Sequence, residues 1–476
     1  GYNAIGAANG GGQLTAVGGY ALTANTTANR STALGYYALA ANTTGDDNIA
    51  IGAHCLDANT TGGYNIAIGS HALGKSNGGQ NVAIGYYALE ENTTGDDGVA
   101  VGSEALTNNT TGNYNVAVGK QALYTNTTTS WNTAVGYKAA YTYAGNEIDA
   151  FGFEALKLCT TGIRNAAFGA YTLDACTTGV YNNAFGYAAL SAVTTGRDNS
   201  AFGSQALLVN TADSNCAFGY LSGAGNTTGT GNAFFGYASG GGCTTGSRNT
   251  ALGASANAGT TGGDNTSVGA GAGYNITTGA NNTAVGSYAL TTNATGSHNV
   301  AIGLNALKDN LASNNIAIGV DAAANVTTGT LNTVVGRSAL ETCTTGGYNC
   351  AYGYNSLQAL TTGTENAAYG YSSMVNCTTG HSNSGCGSFA LQEVTTGTYN
   401  AALGHSPLRR CSTGHYNVAI GYAAGDHVTS GEENVLIGKN AGTDLSSHTG
   451  NVCIGSGAGE NAISNSSTFI GRAAVG

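Results

Sequence analysis

The sequence predicts an all-β protein, a parallel β-solenoid (β-roll) built from coils of about 17 residues or one fewer. A five-residue motif, Asn-Val-Ala-Ile-Gly, occurs at 81–85 and returns at 299–303 and 417–421. Taking the last glycine of each related copy as an anchor and counting Gly6, the chain has 29 anchors. From Gly18 onward, consecutive anchors are 17 residues apart, as Gly35 and Gly52 are, or 16 residues apart, as Gly69 and Gly85 are.

A repeat this short has room for little more than two short strands and their turns. Asn stands four residues before the anchor in 23 of the 29 copies, so the strand after it is the constant part of the repeat.

The period predicts one elongated domain, although 476 residues would suffice for two or three globular domains. In a solenoid each coil contacts only its neighbours, so additional length adds coils rather than domains. Residues 1–28 are predicted to form irregular first coils, and residues 29–476 a continuous β-solenoid. The 77 glycines fit many tight turns, and the single proline, Pro407, fits a backbone ladder that needs its N–H donors.

Charge and hydropathy restrict the partners. Only 8% of the residues are charged, and 14 basic residues stand against 25 acidic ones. This balance argues against a nucleic-acid partner, because binding to phosphates needs a basic surface. No run of 18 apolar residues is present, so no membrane insertion is expected in this stretch. Because the chain starts at Gly1 without a methionine, we expect it to be a processed or trimmed piece.

Positions in the repeat are numbered here from the anchor glycine. Ala is common at +3, Leu at +4, a mixed residue at +7, Thr-Thr-Gly at +8 to +10 and Asn at +13, before a three-residue strand that leads into the next anchor; residues 52–68 form one such coil. The shorter coils, such as 69–84 and 303–318, lack one residue between the Ala-Leu pair and the Asn. The deletions therefore fall in a turn and leave the strand intact.

The residue directly before the anchor is apolar throughout and predicts the interior. The column begins with Ile51, Ile68 and Ile84, and six phenylalanines follow further along: Phe151, Phe168, Phe185, Phe202, Phe218 and Phe235. Equal residues of consecutive coils lie about 4.8 Å apart, so these rings should form a stacked column. The Leu column at +4 should close the core from a second strand.

The residue two before the anchor predicts an oligomer. It never carries a charge, and alternation places it on the other face of the strand. We interpret it as a stripe covered by a neighbouring chain in a parallel homo-oligomer, with a trimer favoured; the alternative is a monomer that exposes small residues. The predicted oligomer stripe consists of Ala50, Ala67, Ala83, Ala100, Ala117 and Ala134.

Position +7 predicts a buried amide ladder. Asn42, Asn59, Asn92 and Asn109 stand in formal Asn-Thr-Thr glycosylation sites, but the same position holds apolar residues or Cys in other coils. Asn that alternates with such residues is best explained as an inward side chain that bonds to the next coil. Six of the 11 cysteines share this position and should behave as small buried groups. A disulfide between stacked Cys159 and Cys176 stays open as an alternative.

Few residues are arranged for chemistry. His54 and His71 share position +2 in adjacent coils and could hold a metal only with a third ligand. Asp46-Asp47 and Asp96-Asp97 could bind Ca²⁺ weakly, although acidic turn residues in water explain them more simply. No pair of acidic residues marks a glycosidase cleft. We therefore predict no enzyme, no metal site and no cofactor.

Tyrosines recur directly after the anchor and again in the turn at +12. Aromatic rows of this kind are able to stack on sugar rings, although contacts between chains or cover over a glycine-rich turn would explain them as well. The candidate surface or glycan contacts are Tyr36, Tyr86, Tyr137, Tyr187, Tyr220, Tyr237, Tyr354, Tyr371 and Tyr422, and the +12 turn holds Tyr64, Tyr114, Tyr181, Tyr348, Tyr399 and Tyr416.

The motif at 81–85, 299–303 and 417–421 resembles the head repeats of trimeric autotransporter adhesins, a left-handed β-roll in which three chains share a core. The longer form, with Ala88-Leu89 and then Asn-Thr-Thr-Gly at 92–95, is similar to repeats of phage and virus tail fibres. The resemblance covers nearly the whole chain from Asn29. The coil here is longer than that of the adhesin heads. No stalk, membrane anchor or chaperone segment is recognisable in this sequence.

Three functions follow as expectations. The first is a structural fibre outside the cell, on a cell surface or on a virion, with a possible role in attachment to a receptor or glycan. The second is an extracellular filament that assembles end to end, because the motifs at 1–6 and 469–471 carry no polar cap. The third is an ice-binding protein, suggested by the Thr-Thr ladders, although adjacent Thr side chains point to opposite sides.

Overall fold

A computed structural model of the chain describes residues 2–5 and 10–474. The described residues form 28 strands of three residues each, with turns between them and no helix. They belong to two compact units, of which the first ends at Ala233 and the second begins at Phe234. The parallel β-solenoid predicted from the repeat is confirmed within each unit. The anchor predicted at Gly6 lies outside the described residues, as do Gly1 and Gly476.

The strands occur once per coil, directly before each anchor glycine. The first unit contains β1 (Thr15–Val17), β2 (Thr32–Leu34), β3 (Ile49–Ile51), β4 (Ile66–Ile68), β5 (Val82–Ile84), β6 (Val99–Val101), β7 (Val116–Val118), β8 (Thr133–Val135), β9 (Asp149–Phe151), β10 (Ala166–Phe168), β11 (Asn183–Phe185), β12 (Ser200–Phe202) and β13 (Cys216–Phe218). The boundary between the units falls in β14 (Ala233–Phe235).

The second unit continues with the same spacing. It contains β15 (Thr250–Leu252), β16 (Thr266–Val268), β17 (Thr283–Val285), β18 (Val300–Ile302), β19 (Ile316–Ile318), β20 (Thr333–Val335), β21 (Cys350–Tyr352), β22 (Ala367–Tyr369), β23 (Ser384–Cys386), β24 (Ala401–Leu403), β25 (Val418–Ile420), β26 (Val435–Ile437), β27 (Val452–Ile454) and β28 (Thr468–Ile470).

Equivalent residues of consecutive coils lie directly opposite each other. In the first unit β3 pairs in parallel with β4, so that Ala50 faces Ala67. In the second unit β18 pairs in parallel with β19 in the same way, and Ala301 faces Ala317. The register does not shift where a coil is one residue shorter, because the missing residue lies in a turn. Each column of the repeat is therefore a physical column of stacked side chains.

The anchor must be glycine for two reasons. Its φ lies near +135°, a region that residues with a side chain avoid; Gly303, for example, has φ +134°. Its α-carbon also faces the backbone of the next coil, because a Cβ built on Gly303 would lie 2.6 Å from the carbonyl carbon of Gly319. Both constraints recur at anchors along the chain from Gly18 to Gly455, which explains why the repeat is most constant here.

Each coil has one strand rather than the two predicted from the sequence. The opposite side of the coil still bonds to the next coil, since the Leu56 N–H donates to Ala72 O at 3.1 Å and the Ala58 N–H to Gly74 O at 3.1 Å. However, the residues at +2 and +4 have positive φ, as in His54 (+54°) and Leu56 (+50°). A left-handed residue at every second position prevents an extended strand. The Leu column closes the core as predicted, but from a stack of turns.

The structure reverses the predicted faces of the strand. The alanine two before the anchor is inside the coil, and the large residue directly before the anchor is outside. The six alanines assigned to an oligomer stripe have no exposed surface in the single chain, so they cannot contact a neighbour: Ala50, Ala67, Ala83, Ala100, Ala117 and Ala134. The predicted interior column is half-buried or exposed instead, with Ile84 at 38% and Phe218 at 37%. Stacking of its rings is confirmed, since the Phe151 and Phe168 centroids lie 4.7 Å apart with nearly parallel planes.

The interior is narrow, which explains why it takes alanine on the strand side. The Leu at +4, the Ala at +3 and the residue at +7 already fill the space that the strand faces. Where the strand contributes a larger residue, the opposite position is smaller. Leu436 replaces Ala on the strand, and the +4 positions that face it are Gly425 and Gly442. A Cβ on Gly425 would lie 2.6 Å from Leu436 Cδ1, and a Cβ on Gly442 would lie 2.5 Å from Leu436 Cδ2. Conversely, Met374 at +4 faces Gly385 on the strand, where a Cβ would lie 3.0 Å from Met374 Cε.

Candidate functional site

The amide ladder predicted at position +7 is confirmed. The Asn59 Nδ2 donates to Asn42 Oδ1 at 2.9 Å, and the Asn109 Nδ2 donates to Asn92 Oδ1 at 3.0 Å. All four side chains are buried. In the folded chain their amides are therefore enclosed in the coil and not available as attachment points for glycans.

Cysteines at position +7 occupy the same enclosed column. All 11 cysteines of the chain are free, including Cys159 and Cys176. Burial raises the pKa of the Cys377 thiol to about 12, and its Sγ lies 3.7 Å from Gly380 O, to which it donates. A thiol with such a pKa stays protonated near neutral pH and is a poor nucleophile. Cys377 thus serves as a small packing group, and the other five cysteines at +7 are buried as it is.

A second amide ladder, at the Asn four residues before each anchor, is the feature that sequence analysis left unexplained. Many of these side chains bond both to the coil before them and to the coil after them. The Asn349 Nδ2 donates to Asn332 Oδ1 at 3.2 Å and to Gly363 O at 3.0 Å. Its Oδ1 accepts from the Asn366 backbone N–H at 3.0 Å and from Asn366 Nδ2 at 3.2 Å. Only a planar amide supplies both donors and an acceptor at this position. The high frequency of Asn four residues before the anchor was the sequence signal for this ladder.

We expect Asn349→Asp to destabilise the protein, and increasingly so at higher pH. The new carboxylate oxygen would face two acceptors, Asn332 Oδ1 and Gly363 O, in a buried site. That arrangement raises the pKa of the carboxyl above about 3.9, its usual value. The loss in free energy of unfolding is therefore small at a pH below the pKa of the new carboxyl in the unfolded chain. It grows to about 3 kcal/mol as the pH rises through the pKa of the same carboxyl in the folded chain.

Urea unfolding at several pH values measures this effect. The control is Asn325→Asp, because Asn325 is exposed in the same unit. A loss of stability for Asn349→Asp that matches the control at every pH would contradict the ladder.

The first Thr of many Thr-Thr pairs has a structural role. Its hydroxyl donates to the carbonyl of the equivalent residue in the next coil, as in Thr93 Oγ1 to Thr110 O at 2.9 Å and Thr110 Oγ1 to Thr127 O at 2.9 Å. The same bond recurs in the second unit, from Thr361 Oγ1 to Thr378 O at 3.0 Å. The hydroxyls on which the ice-binding alternative depends are therefore engaged in the ladder at this position.

Asp46, Asp96 and Asp97 lie at a depression of about 530 Å³ in the first unit, where Gly63 and Gly79 leave its floor without side chains. Asp47 pairs instead with Arg30, whose Nε lies 2.6 Å from Asp47 Oδ1. Asp46 Oδ1 accepts from the Asn29 N–H at 2.7 Å, and Asp96 Oδ1 accepts from the Gly79 N–H at 2.7 Å. Both carboxylates thus continue the backbone ladder. Among residues 2–5 and 10–474, no group of three or more His, Cys, Asp or Glu is placed to hold a metal ion.

The two adjacent histidines belong to a column of stacked rings. His54 and His71 have centroids 5.2 Å apart, and Tyr37 and Tyr87 continue the stack on either side at 5.3 and 4.9 Å. Within each pair the planes are parallel to within 8°. His54 Nδ1 also lies 2.9 Å from Asp57 Oδ2. The geometry is that of aromatic stacking between coils rather than of ligands that converge on a point.

The tyrosines predicted as surface contacts are exposed, and some of them take part in stacked pairs. Tyr354 and Tyr371 stack in adjacent coils with centroids 5.5 Å apart. Tyr422 stacks on His405 at 5.5 Å. The exposed candidates are Tyr36, Tyr86, Tyr137, Tyr187, Tyr220, Tyr237, Tyr354, Tyr371 and Tyr422, together with the +12 tyrosines Tyr64, Tyr114, Tyr181, Tyr348, Tyr399 and Tyr416. Their shared position does not by itself form one continuous binding surface.

An extended apolar surface is formed by the outer face of the strands, here called the outer strand face. It consists of the first and third residue of each strand from β2 to β13 and from β15 to β28. These residues are half-buried or exposed, whereas the middle residue is buried. In each unit the face is apolar or neutral, and Asp149 is the one charged residue among these strand positions. An exposed apolar surface of this extent is unusual on a soluble monomer.

Comparisons with known protein families, with curated proteins and with solved structures each gave no match. In the part of the chain that the structure describes, no helix has the length and hydropathy needed to cross a bilayer.

Proposed function

We propose that this chain is the repeat segment of a structural fibre that self-associates through the outer strand face. The observation that carries the proposal is that face itself, which leaves large apolar side chains uncovered in coil after coil. Burying such side chains is the main favourable contribution to protein association. A second copy of the chain is the occupant to which we commit.

The area is large enough for a stable interface. Phe218, at 37% exposure, leaves on the order of 75 Å² uncovered when a whole aromatic side chain offers about 200 Å². In the first unit, twelve residues from Leu34 to Phe218 stand directly before an anchor, at the position of Phe218. The first residue of each strand adds further exposed area. The sum is on the order of 1,000 Å², compared with about 800 Å² per partner in a standard interface.

The periodicity of the face favours a second copy over an unrelated partner. Apolar residues recur once per coil, with equal residues directly opposite each other in register. A partner that covers every coil must repeat at the same spacing, and a second copy does so. Because the face is almost uncharged, it suits an equally apolar surface and offers a charged partner nothing to pair with.

The resemblance of the Asn-Val-Ala-Ile-Gly motif to adhesin heads and tail fibres supports a location outside the cell, on a cell surface or on a virion. It also supports three copies per fibre. The copies would pack through the outer strand face rather than through the alanine column, which lies inside the coil.

The proposal predicts the mass of the protein in solution. The wild-type chain should have a mass that is a multiple of 47.0 kDa, with three copies expected from the resemblance. Four substitutions, Ile84→Glu, Val118→Glu, Ile302→Glu and Val335→Glu, place charges on the face in both units and should reduce the mass to 47.0 kDa. A buried unpaired charge is costly in an interface but not on a free surface. Light scattering after size exclusion measures the mass.

The matched control is Tyr64→Glu with Tyr348→Glu, because these tyrosines are 62% and 60% exposed and lie in the turn before the strand rather than among the residues of the outer strand face. The control should keep the wild-type mass. Circular dichroism should show a folded chain in all three proteins. A wild-type mass of 47.0 kDa at every concentration would contradict the proposal.

A further inference from the structure

A groove of about 450 Å³ lies in the second unit. In several coils of the first unit position +2 carries a large side chain, such as Tyr37 or Tyr87. In two consecutive coils here it carries Ser406 and Ala423, which form the floor of the groove. The small floor residues open a space along the coil axis between the columns at +1 and +5.

One wall and one end of the groove are aromatic. His405 and Tyr422, at +1, stack with centroids 5.5 Å apart and an interplanar angle of 13°. Phe389 closes one end and meets His405 edge to face, at 5.7 Å and 72°. His405 and Tyr422 are exposed, and Tyr422 has 56% of its surface accessible. The groove therefore offers aromatic surface in two orientations.

The opposite wall holds planar hydrogen-bonding groups from position +5. Arg409 Nε donates to Asp426 Oδ1 at 2.7 Å, and Arg409 Nη2 donates to Asp426 Oδ2 at 3.1 Å. This pairing uses one edge of the guanidinium and leaves the Nη1 donors for other partners. Gln392 adds an amide with donors and an acceptor. The Arg409–Asp426 pair is neutral as a whole and holds both side chains in place.

We propose that this groove binds an uncharged sugar ring, such as one hexose unit of a glycan. Sugar rings present C–H faces that pack on aromatic side chains and hydroxyls that bond to planar side chains, and the groove has both on facing walls. Its volume lies in the range of about 300–1,000 Å³ that is typical of small-molecule sites. Because Arg409 and Asp426 neutralise each other, neither an anionic nor a cationic ligand gains a free countercharge.

Saturation-transfer difference NMR on the full chain tests the proposal with glucose, galactose, mannose and N-acetylglucosamine, each alone at millimolar concentration. At least one of these sugars should receive saturation at its ring C–H protons. Ser406→Tyr should abolish the signal, because it fills the groove. The fold accepts this change, since Ser406 has φ +58° and Tyr37 has the same φ at the equivalent position.

Two further variants separate the walls. Tyr422→Ala should weaken binding roughly fivefold to tenfold through the loss of aromatic contact, and Gln392→Leu should weaken it through the loss of hydrogen bonds. The control is Tyr86→Ala, because Tyr86 stands at +1 with 50% exposure in the other unit. It should bind like the wild type.

Two results would overturn the proposal: no saturation transfer to any of the four sugars, or unchanged transfer in Ser406→Tyr. Each of these results would leave the mass of the wild-type protein unaffected. The groove and the self-association proposal are thus tested independently.

Discussion

Replacing the anchor Gly303 by Ala should destabilise the second unit by at least about 3 kcal/mol, a large effect for the addition of one methyl group. The φ of +134° is strained for alanine, and its Cβ would lie 2.6 Å from the carbonyl carbon of Gly319. Relief requires the two coils to separate, which breaks the ladder on both sides of the anchor. Urea unfolding followed by circular dichroism measures the loss.

The control for this variant is Gly259→Ala in the same unit. Its nearest neighbour would be Tyr274 O at 3.8 Å, an ordinary contact. Its unfolding midpoint should stay within the error of the wild type or rise slightly, because alanine restricts the unfolded chain. Equal effects of the two substitutions would mean that close approach between coils does not determine the anchor residue.

Exchanging the sizes of two facing residues should show the largest energetic coupling in the chain. Leu436→Ala alone should cost about 2–5 kcal/mol, because it leaves a cavity between Gly425 and Gly442. Gly425→Leu alone should also destabilise, because its Cβ would lie 2.6 Å from Leu436 Cδ1. The double variant restores the common arrangement of strand alanine and +4 leucine, and should be more stable than the sum of the two losses by about 2 kcal/mol.

A double-mutant cycle in urea gives this coupling energy. The matched control combines Gly425→Leu with Leu290→Ala, a buried leucine at +4 in a distant coil of the same unit. That pair should be additive, since the two residues share no contact. Additivity in the Gly425 and Leu436 cycle would show that the strand residue does not face position +4.

The fold could be predicted from the repeat because its constant residues are required either by the backbone conformation or by the bonds between coils. The +4 leucine was assigned to the core and the +7 amides to a ladder, and the structure confirms both roles. Sequence alone did not reveal the left-handed residues at +2 and +4, because Leu is a residue that rarely has positive φ. Tertiary packing imposes that conformation at Leu56 and its equivalents, and the predicted second strand was wrong for that reason.

The two faces of the strand were interchanged because size was taken as the sign of burial. Large apolar residues usually mark the core, but the interior here is too narrow to hold them on the strand side. The sequence did contain a signal for the correct assignment, since Leu436 coincides with glycines at 425 and 442, and Met374 coincides with Gly385. Such opposite changes in size between two columns indicate that the columns face each other.

The candidate site was less predictable than the fold. Tyr422 was recognised as an exposed aromatic residue, but the groove depends on two small residues, Ser406 and Ala423, that have no chemistry of their own. A groove formed by missing side chains gives no motif. It becomes visible only when the neighbouring columns at +1 and +5 are placed in space.

The matched sizes of the strand residue and the +4 residue also constrain how the sequence of such a chain evolves. A coil with strand alanine and +4 leucine fits beside any other of its kind, so copying errors that gain or lose one whole coil leave every junction as it was. Leu436 does not allow this freedom, because a crossover that replaced Gly425 or Gly442 by an ordinary leucine would set two large side chains against each other. Related chains should therefore vary in the number of their ordinary coils and inherit the stretch from Gly425 to Gly442 as one block.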